Sequence, residues 1–243
     1  MLFQATKNRN LGSRVVSSLG RITLGAALLV TAAAGQQAPR PEFQPIVDNP
    51  ALPRVLIIGD SISIGYTLPL RAALKGIANV HRPPTNCAHT WKGLEDIDQW
   101  LGEGEWDLIH FNWGLHDLKY VDVDGKLALP PEGKQVSTVG EYEENMEKLV
   151  LRLKQTGAKL IWRPTTPVPE GSQGRVPADL PKYNKAAREV IDRHGIEVDD
   201  MNSFIMDKNI PHIRPGNVHF SKDSSALLAG NTAELVRQKL NSD

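Results

Sequence analysis

Two side chains of this sequence are a candidate nucleophile and a candidate base. Ser61 ends the segment Gly59-Asp60-Ser61, which follows a run of branched apolar residues, and His219 lies in a loop before the last predicted helix. A serine hydroxyl is a weak nucleophile until a neighbouring base takes its proton, and histidine is the commonest base for this purpose. The pair therefore predicts acyl transfer, provided that the fold brings these two distant residues together.

Acyl transfer also needs hydrogen-bond donors for the oxyanion of the tetrahedral intermediate. The backbone N–H groups of Ser61 and Gly93 are candidates, because a glycine lets a substrate approach the main chain closely. A further polar segment, Gly114-Leu115-His116-Asp117, follows a later strand-like run. Since ligands of open α/β sheets bind at the carboxyl ends of the strands, we expect these segments to meet there.

The elements that must position these residues alternate between strand-like and helix-like patterns. Residues 55–58 form a continuous apolar run bounded by glycine, which indicates a fully buried strand. The predicted strands begin near residues 55, 79, 107, 159 and 196, and the predicted helices near residues 68, 90, 138, 180, 201 and 221. This alternation predicts a five-stranded parallel sheet with helices on both faces, in one domain.

Composition restricts the class of protein. The 243 residues include 28 Lys and Arg and 28 Asp and Glu, and this zero net charge argues against nucleic acid or an anionic membrane as the main partner. A hydrophobic content of 40% is typical of a globular protein and excludes a polytopic membrane protein. The single Cys87 cannot form an internal disulfide, so cysteine usage does not indicate a compartment.

The N-terminal residues have the pattern of a secretory signal peptide. Residues 1–21 contain Lys and Arg but no acidic residue, residues 22–30 are mostly apolar, and small residues follow. We therefore expect a signal peptide over residues 1–34, a secreted or periplasmic location, and no stable membrane insertion of the mature chain. The apolar run is short for a bilayer span, and a retained single-span anchor is the alternative.

Two segments are expected to be irregular. Residues 35–53 are rich in Pro and Gln and show no periodicity, which indicates an extended linker before a domain at residues 54–243. Residues 119–137 form a long loop with two adjacent prolines, and loops of that length are usually functional or mobile.

Taken in order, the motifs resemble those of the SGNH (GDSL) hydrolases. Gly59-Asp60-Ser61 after an apolar strand, a Gly-x-x-Asp segment after a later strand and Val218-His219 before the last helix are similar to the family's motifs across the mature domain. The resemblance implies a three-layer α/β/α, flavodoxin-like fold and a serine esterase or lipase that needs no cofactor. It also implies that Ser61 is the nucleophile and an oxyanion donor, Gly93 the glycine of the second motif, and His219 the base.

Two positions depart from the family's pattern. The third motif of the family is Gly-x-Asn-Asp, whose Asn donates to the oxyanion, and His116 holds the Asn position here. An imidazole N–H can also donate, and a protonated one donates more strongly. The last motif is Asp-x-x-His, and Gly216 holds the Asp position here. The acid that would orient His219 is therefore missing from its usual place.

Another group must accept a hydrogen bond from the second ring nitrogen of His219 if this histidine is the base. A backbone carbonyl within residues 214–216 is one candidate, and the carboxylate of Asp199 or Asp200 is another. With such an acceptor, Ser61 and His219 would work as a supported pair.

Each candidate residue also has a structural interpretation. Ser61 is suited to a turn at a helix start, and capping of that helix is the role we expect for Asp60. His219 is also consistent with an ordinary loop histidine, and His116 with a donor to a neighbouring carbonyl. Asp117 is expected to brace its loop through backbone N–H groups.

The remaining histidines and tryptophans provide weaker signals. No metal is predicted, because five further histidines lack metal-ligand spacing: His81, His89, His110, His194 and His212. Trp91 and Trp113 flank the motif loops. Core packing is the usual role of tryptophan, and the lining of a carbohydrate pocket is the alternative for these two.

Two functions remain open at this point. The first is a secreted serine esterase that hydrolyses small carboxylic esters through Ser61 and His219, with acyl groups on carbohydrates as the favoured substrate. The second is a carbohydrate-binding protein of the same fold whose site has lost catalysis, as the departures at His116 and Gly216 indicate. Nucleotide binding is set aside, because the sequence lacks both the glycine fingerprint and the lysine of a phosphate loop.

Overall fold

Five parallel strands form the central sheet of the protein. The computed structural model describes residues 40–242, so the predicted signal peptide and residues 35–39 of the predicted linker lie outside the described residues. The strands are β1 (Arg54–Ile58), β2 (Asn79–His81), β3 (Leu108–Phe111), β4 (Tyr120–Val121), β5 (Lys134–Gln135), β6 (Lys159–Trp162) and β7 (Glu197–Val198). The sheet has the order β2-β1-β3-β6-β7, whereas β4 and β5 form a separate antiparallel pair.

Two groups of helices flank the sheet. The helices are α1 (Ser61–Ala73), α2 (Thr90–Leu101), α3 (Val139–Lys154), α4 (Leu180–Arg193), α5 (Met201–Asp207) and α6 (Lys222–Asn241). Helix α6 packs against α1 and α5, and α3 packs against α2 and α4. In chain order the sheet strands are arranged 2-1-3-4-5, which is the flavodoxin-like order. The predicted α/β/α fold with a five-stranded parallel sheet is confirmed.

Burial explains why these residues form strands and helices. The side chains of β3 are fully buried, as are all those of β1 after Arg54, which is the pattern of strands covered on both faces. Helix α3 begins with a capping box, in which the Thr138 side chain accepts from Glu141 N–H and the Glu141 carboxylate accepts from Thr138 N–H. Its buried apolar face attaches the helix to the core.

The strand order creates a crevice next to β1. The chain leaves β1 for β2 on one side and reaches β3 on the other, so the carboxyl ends of β1 and β3 border a topological switch point. Ile58 pairs with Phe111 at these ends. An added Cβ at Gly59 would lie 3.0 Å from Ser63 Cβ, so glycine lets the first turn of α1 lie directly on the end of β1.

Several boundaries differ from the sequence-based predictions. Helix α1 begins at Ser61 rather than near Leu68, with Pro69 inside it. His89 rather than Thr90 caps α2, because its Nδ1 accepts from Lys92 N–H at 3.2 Å. The long loop at residues 119–137 contains the β4–β5 pair.

The described part of the predicted linker lies on the domain. We call residues 40–53 the N-terminal strap. The Asp48 carboxylate contacts Arg54 Nε at 2.8 Å and His81 Nε2 at 2.6 Å. A short 3-10 helix, Pro41–Phe43, contacts α1. The strap therefore contributes side chains to the surface beside α1. Within residues 40–242, no helix is long and apolar enough to cross a membrane.

Candidate active site

The packing of α1 against α6 brings Ser61 and His219 together. Ser61 is the first residue of α1, and His219 lies three residues before α6. The helices approach closely at Gly65, where an added Cβ would lie 3.4 Å from Ser225 Oγ. His219 Nε2 lies 2.9 Å from Ser61 Oγ, which is the geometry of a nucleophile and its base.

The loop that carries His219 is held at both sides. His212 and Phe220 form an antiparallel bridge, and their rings stack with centroids 4.7 Å apart. Ile213 N–H donates to the His219 carbonyl at 2.8 Å, and His212 Nε2 lies 3.1 Å from the Pro167 carbonyl. These contacts fix the main chain at the base although its side chain is exposed.

The acceptor at the second nitrogen of His219 is the side chain of Asn217. Asn217 Oδ1 lies 2.8 Å from His219 Nδ1 and also accepts from His219 N–H at 2.9 Å. Sequence reasoning missed this residue because it considered carboxylates and backbone carbonyls. A usable signal was present, since Asn and Asp side chains commonly accept hydrogen bonds from the backbone two residues later.

The carboxylates predicted as alternatives are used elsewhere. Asp199 is buried, and its Oδ2 lies 2.6 Å from Arg163 Nη2 and 2.9 Å from His110 Nε2. Burial opposes ionisation, but Arg163 and His110 hold the pKa of Asp199 well below its usual range. Asp200 caps α5 by accepting from Ser203 N–H at 3.1 Å. The ring of His219 is hydrogen-bonded to neither of these carboxylates nor to a backbone carbonyl of residues 214–216, so all three predictions for its partner are wrong.

The start of α1 provides one unpaired backbone N–H. Asp60 is the N-cap, as predicted, and its carboxylate accepts from Ile62 N–H at 2.9 Å. Ser61 N–H makes no hydrogen bond to any of the described residues. This free N–H lies at the positive end of the helix dipole, where anions bind favourably.

Gly93 does not match its predicted role as an oxyanion donor. It lies inside α2, and its N–H donates to the His89 carbonyl at 3.1 Å. An added Cβ would lie 3.0 Å from Trp113 Cε2 and 3.1 Å from Leu149 Cδ1. Gly93 is therefore a close-packing position between α2 and the core, and its amide is not available to a substrate.

His116 provides a neutral imidazole at the position predicted for an oxyanion donor. Burial, together with the nearby positive charges of Lys119, Arg175 and His89, lowers the pKa of His116 to about 4 against the opposing effect of Asp60. Of the two forms considered from the sequence, the neutral imidazole is therefore the one present at neutral pH, and the stronger, protonated donor is not. The neutral ring still carries one N–H, and it has no hydrogen-bond partner among residues 40–242.

Asp117 braces the loop after β3, as expected, although mostly through hydroxyl groups. Its buried Oδ1 accepts from Thr90 N–H at 2.9 Å, from Thr90 Oγ1 at 2.6 Å and from Ser137 Oγ at 2.9 Å. Burial raises the pKa of Asp117, and the hydrogen bonds from Thr90 and Ser137 oppose that rise. This network fixes the segment that carries His116 against the start of α2.

Two clefts meet at His219. The larger, about 920 Å³, is lined by Ser61 and His219, by apolar residues of α1 such as Ile64 and Leu68, and by Phe43 of the N-terminal strap. The smaller, about 340 Å³, has a polar lining that includes Arg175, Arg214, Ser172, Gln173 and Asn217. His219 thus lies between a largely apolar cleft and a more polar one.

Other reactive or aromatic groups near the motif loops do not form part of these clefts. Burial raises the pKa of the Cys87 thiol to about 12, so this thiol is not a competing nucleophile at neutral pH. Trp113 is fully buried, so it cannot serve as the carbohydrate platform considered from sequence. Trp91 is exposed but lines neither cleft. Residues 40–242 contain no group of three His, Cys, Asp or Glu side chains that could hold a metal ion.

Comparison with solved structures finds proteins that have a similar fold. The acetyl xylan esterase AlAXEase superposes with a TM-score of 0.61 and 14% identity, covering 75% of this chain and 99% of that one. A lipase/acylhydrolase from Enterococcus faecalis has a TM-score of 0.61 and 17% identity, covering 76% and 96%. A member of the lipolytic protein G-D-S-L family from Veillonella parvula has a TM-score of 0.55 and 16% identity, covering 76% and 98%.

Sequence comparison alone finds no relative of this kind. No protein-family model matches the chain, and no curated protein matches it either. The structural similarity nevertheless extends over almost the full length of each of these three solved proteins. This chain therefore has the fold of the SGNH/GDSL hydrolases.

Proposed function

We propose that this protein is a secreted serine esterase that hydrolyses small carboxylic esters of polar alcohols, with acyl groups on carbohydrates as the favoured substrate. The observation that carries the proposal is the 2.9 Å contact between Ser61 Oγ and His219 Nε2 where two clefts meet. The export signal predicted from residues 1–34 supports secretion. The acetyl xylan esterase among the structural relatives is consistent with a carbohydrate ester.

The chemistry follows from the positions of the two side chains. Ser61 Oγ attacks the ester carbonyl carbon while its proton moves to His219 Nε2, and the carbonyl π electrons move to the oxygen. The intermediate then collapses: the bond to the alcohol oxygen breaks, and that oxygen takes the proton from Nε2. Water, deprotonated by His219, repeats the sequence on the acyl-enzyme and releases the acid and Ser61.

The oxyanion is held by Ser61 N–H and by the imidazole N–H of His116. The first donor lies at the start of α1 and needs no rearrangement. The second is neutral, because burial lowers the pKa of His116 to about 4. A neutral donor can stabilise the oxyanion without binding an anionic product such as acetate as strongly as a cation would, which favours product release.

The two clefts support the choice of substrate class. The larger one has an apolar wall from α1 and Phe43 that suits an acyl chain. The smaller one provides Arg175, Arg214, Ser172 and Gln173, whose polar groups suit the hydroxyl groups of a sugar alcohol. An ester that spans His219 would place its acyl group in one cleft and its alcohol in the other.

The alternative is a binding protein of the same fold that has lost catalysis. The observation in its favour is that His219 contacts an amide, Asn217, rather than a carboxylate. Such a protein would still bind acetylated sugars at the two clefts, but it would not turn them over.

Hydrolysis by purified protein separates these functions. We expect release of acid from p-nitrophenyl acetate and from acetylated xylose, and loss of both activities in Ser61→Ala. Ser203→Ala is the matched control, because Ser203 lies on α5 outside both clefts and should leave the rates unchanged. Full activity of Ser61→Ala would refute the mechanism, and sugar binding without turnover by the wild type would favour the alternative.

A further inference from the structure

We infer that Asn217 is the positioning residue of this site, and that its amide oxygen sets the ring orientation and tautomer of His219 in place of a carboxylate. The inference rests on the proposed esterase function and assigns a role within it. Three contacts carry it: His219 N–H to Asn217 Oδ1 at 2.9 Å, His219 Nδ1 to the same oxygen at 2.8 Å, and His219 Nε2 to Ser61 Oγ at 2.9 Å.

The backbone contact determines which end of the amide faces the ring. A backbone N–H can only donate, so the Asn217 atom that receives it must be the carbonyl oxygen and not the NH2 group. The same oxygen faces His219 Nδ1, and an amide oxygen can only accept. Nδ1 must therefore carry the ring hydrogen for this contact to be favourable.

The tautomer follows from that hydrogen. A neutral imidazole with Nδ1–H has its lone pair on Nε2, and this lone pair faces Ser61 Oγ. The opposite tautomer would present an N–H to the serine hydroxyl and could not take its proton. Asn217 thus favours the only neutral form of His219 that is able to act as base.

The main chain explains why the acceptor lies at position 217 and not at 216. Gly216 has φ = 66°, and an added Cβ would lie 2.9 Å from the Gly171 carbonyl oxygen. An Asp at 216 would therefore clash with the backbone of the neighbouring loop and would adopt a strained conformation. Asn217 reaches Nδ1 from the next residue without this conflict.

The neutral amide has a consequence for the rate. His219 gains a positive charge when it takes the Ser61 proton, and an amide oxygen stabilises that charge less than a carboxylate would. Asn217→Asp keeps the shape of the side chain and adds the charge. We expect kcat to rise about fivefold, because a hydrogen bond to a charged group is stronger by roughly 1 kcal/mol, and 1.4 kcal/mol corresponds to a factor of ten.

The test compares kcat and KM for p-nitrophenyl acetate in wild type, Asn217→Ala, Asn217→Asp and Asn209→Asp. Asn209→Asp is the matched control, because it makes the same change at an exposed side chain that lines neither cleft. The expected result is a fall of about ten- to a hundredfold in kcat for Asn217→Ala, a rise for Asn217→Asp, and no change in Asn209→Asp or in any KM. Unchanged kcat in Asn217→Ala, or equal increases in Asn217→Asp and Asn209→Asp, would overturn the inference.

A second readout does not depend on hydrolysis. Long-range 1H–15N NMR of the histidine rings distinguishes Nδ1–H from Nε2–H, and His219→Gln identifies the signals of His219. We expect the Nδ1–H tautomer in wild type and a mixture in Asn217→Ala. An Nε2–H tautomer in wild type would overturn the inference even if the esterase is active. The expected tautomer in a protein that hydrolyses no ester would support the inference while refuting the proposed function.

Discussion

Among the histidines that contact oxygen acceptors, His110 and His219 have surroundings that differ in almost every respect. His110 is completely buried in β3, and its Nε2 contacts the carboxylate of Asp199, which Arg163 also contacts. His219 is exposed in a loop, and its Nδ1 contacts the neutral amide of Asn217. Of these two histidines, the one with a carboxylate partner is therefore His110, which is buried beyond the reach of any substrate.

This difference separates structural from chemical use of the same side chain. Burial lowers the pKa of His110, although Asp199 opposes this effect. The pair with Arg163 compensates the charge of Asp199 in an interior where an uncompensated charge is very costly. His219 has solvent on one side and Ser61 on the other, so it can exchange protons. In the mechanism that we propose, contact with Ser61, and not a carboxylate partner, therefore distinguishes the catalytic histidine.

The largest effect on the rate is expected when His219 is replaced. His219→Ala should lower kcat for p-nitrophenyl acetate at least about a thousandfold, because nothing else takes the Ser61 proton. Its free energy of unfolding should change by no more than about 0.5 kcal/mol, because the side chain is exposed. Ester kinetics and urea unfolding measure the two quantities.

Asp199→Asn changes the partner of the other histidine, the buried His110. It leaves Arg163 without a counter-charge in the core and should lower the free energy of unfolding by about 3–5 kcal/mol. The kcat of the folded fraction should remain within a few-fold of wild type. A large loss of kcat in Asp199→Asn at unchanged stability would show that the buried pair, and not Asn217, serves the reaction.

The next effect concerns the oxyanion donor. His116→Ala should lower kcat about 100- to 1,000-fold with little change in KM, because one donor to the oxyanion is lost. His116→Asn supplies an amide N–H from the same position and should recover most of that loss. Equal activity of wild type and His116→Ala would assign His116 to the structure of its loop alone.

Much of this arrangement follows from the sequence, and the exceptions have physical causes. The buried run before Gly59 and the spacing of the loops predict Ser61 and His219, because strand ends and helix starts define the active edge of such a sheet. Gly93 was misassigned because the α2 cap is His89 rather than Thr90, and this shift of one residue gives the Gly93 N–H an acceptor within the helix, the His89 carbonyl. Asn217 was missed because its role depends on a side-chain contact that no periodic pattern encodes.

A smaller effect concerns the wall of the larger cleft. Phe43 of the N-terminal strap lines this cleft, and the guanidinium of Arg40 lies 4.7 Å from the centre of its ring. Phe43→Ala should change the ratio of kcat/KM for butyrate and acetate esters by a few-fold, since one or two methylene groups in an apolar pocket contribute about 1–3 kcal/mol. An identical acyl-chain profile in Phe43→Ala would exclude the strap from the substrate site.

The last prediction concerns the pH dependence of stability. The folded state holds the pKa of His116 at about 4, whereas an unfolded histidine titrates near 6.5. The unfolded state therefore binds the proton first, and the free energy of unfolding falls as the pH decreases from about 6.5 to about 4. His116→Asn should show a smaller fall than wild type in urea unfolding over this range. An equal fall would assign the acid sensitivity to the other buried histidines.

The proposed mechanism requires that His219 activates Ser61 as a nucleophile. Covalent labelling of the serine measures this activation. A fluorophosphonate probe reacts with an activated serine, and peptide mass spectrometry locates the adduct. We expect one adduct per molecule, on the peptide that contains Ser61, with much slower labelling in His219→Ala and unchanged labelling per folded molecule in Asp199→Asn. No adduct, an adduct on another serine, or equal labelling rates in wild type and His219→Ala would contradict this mechanism.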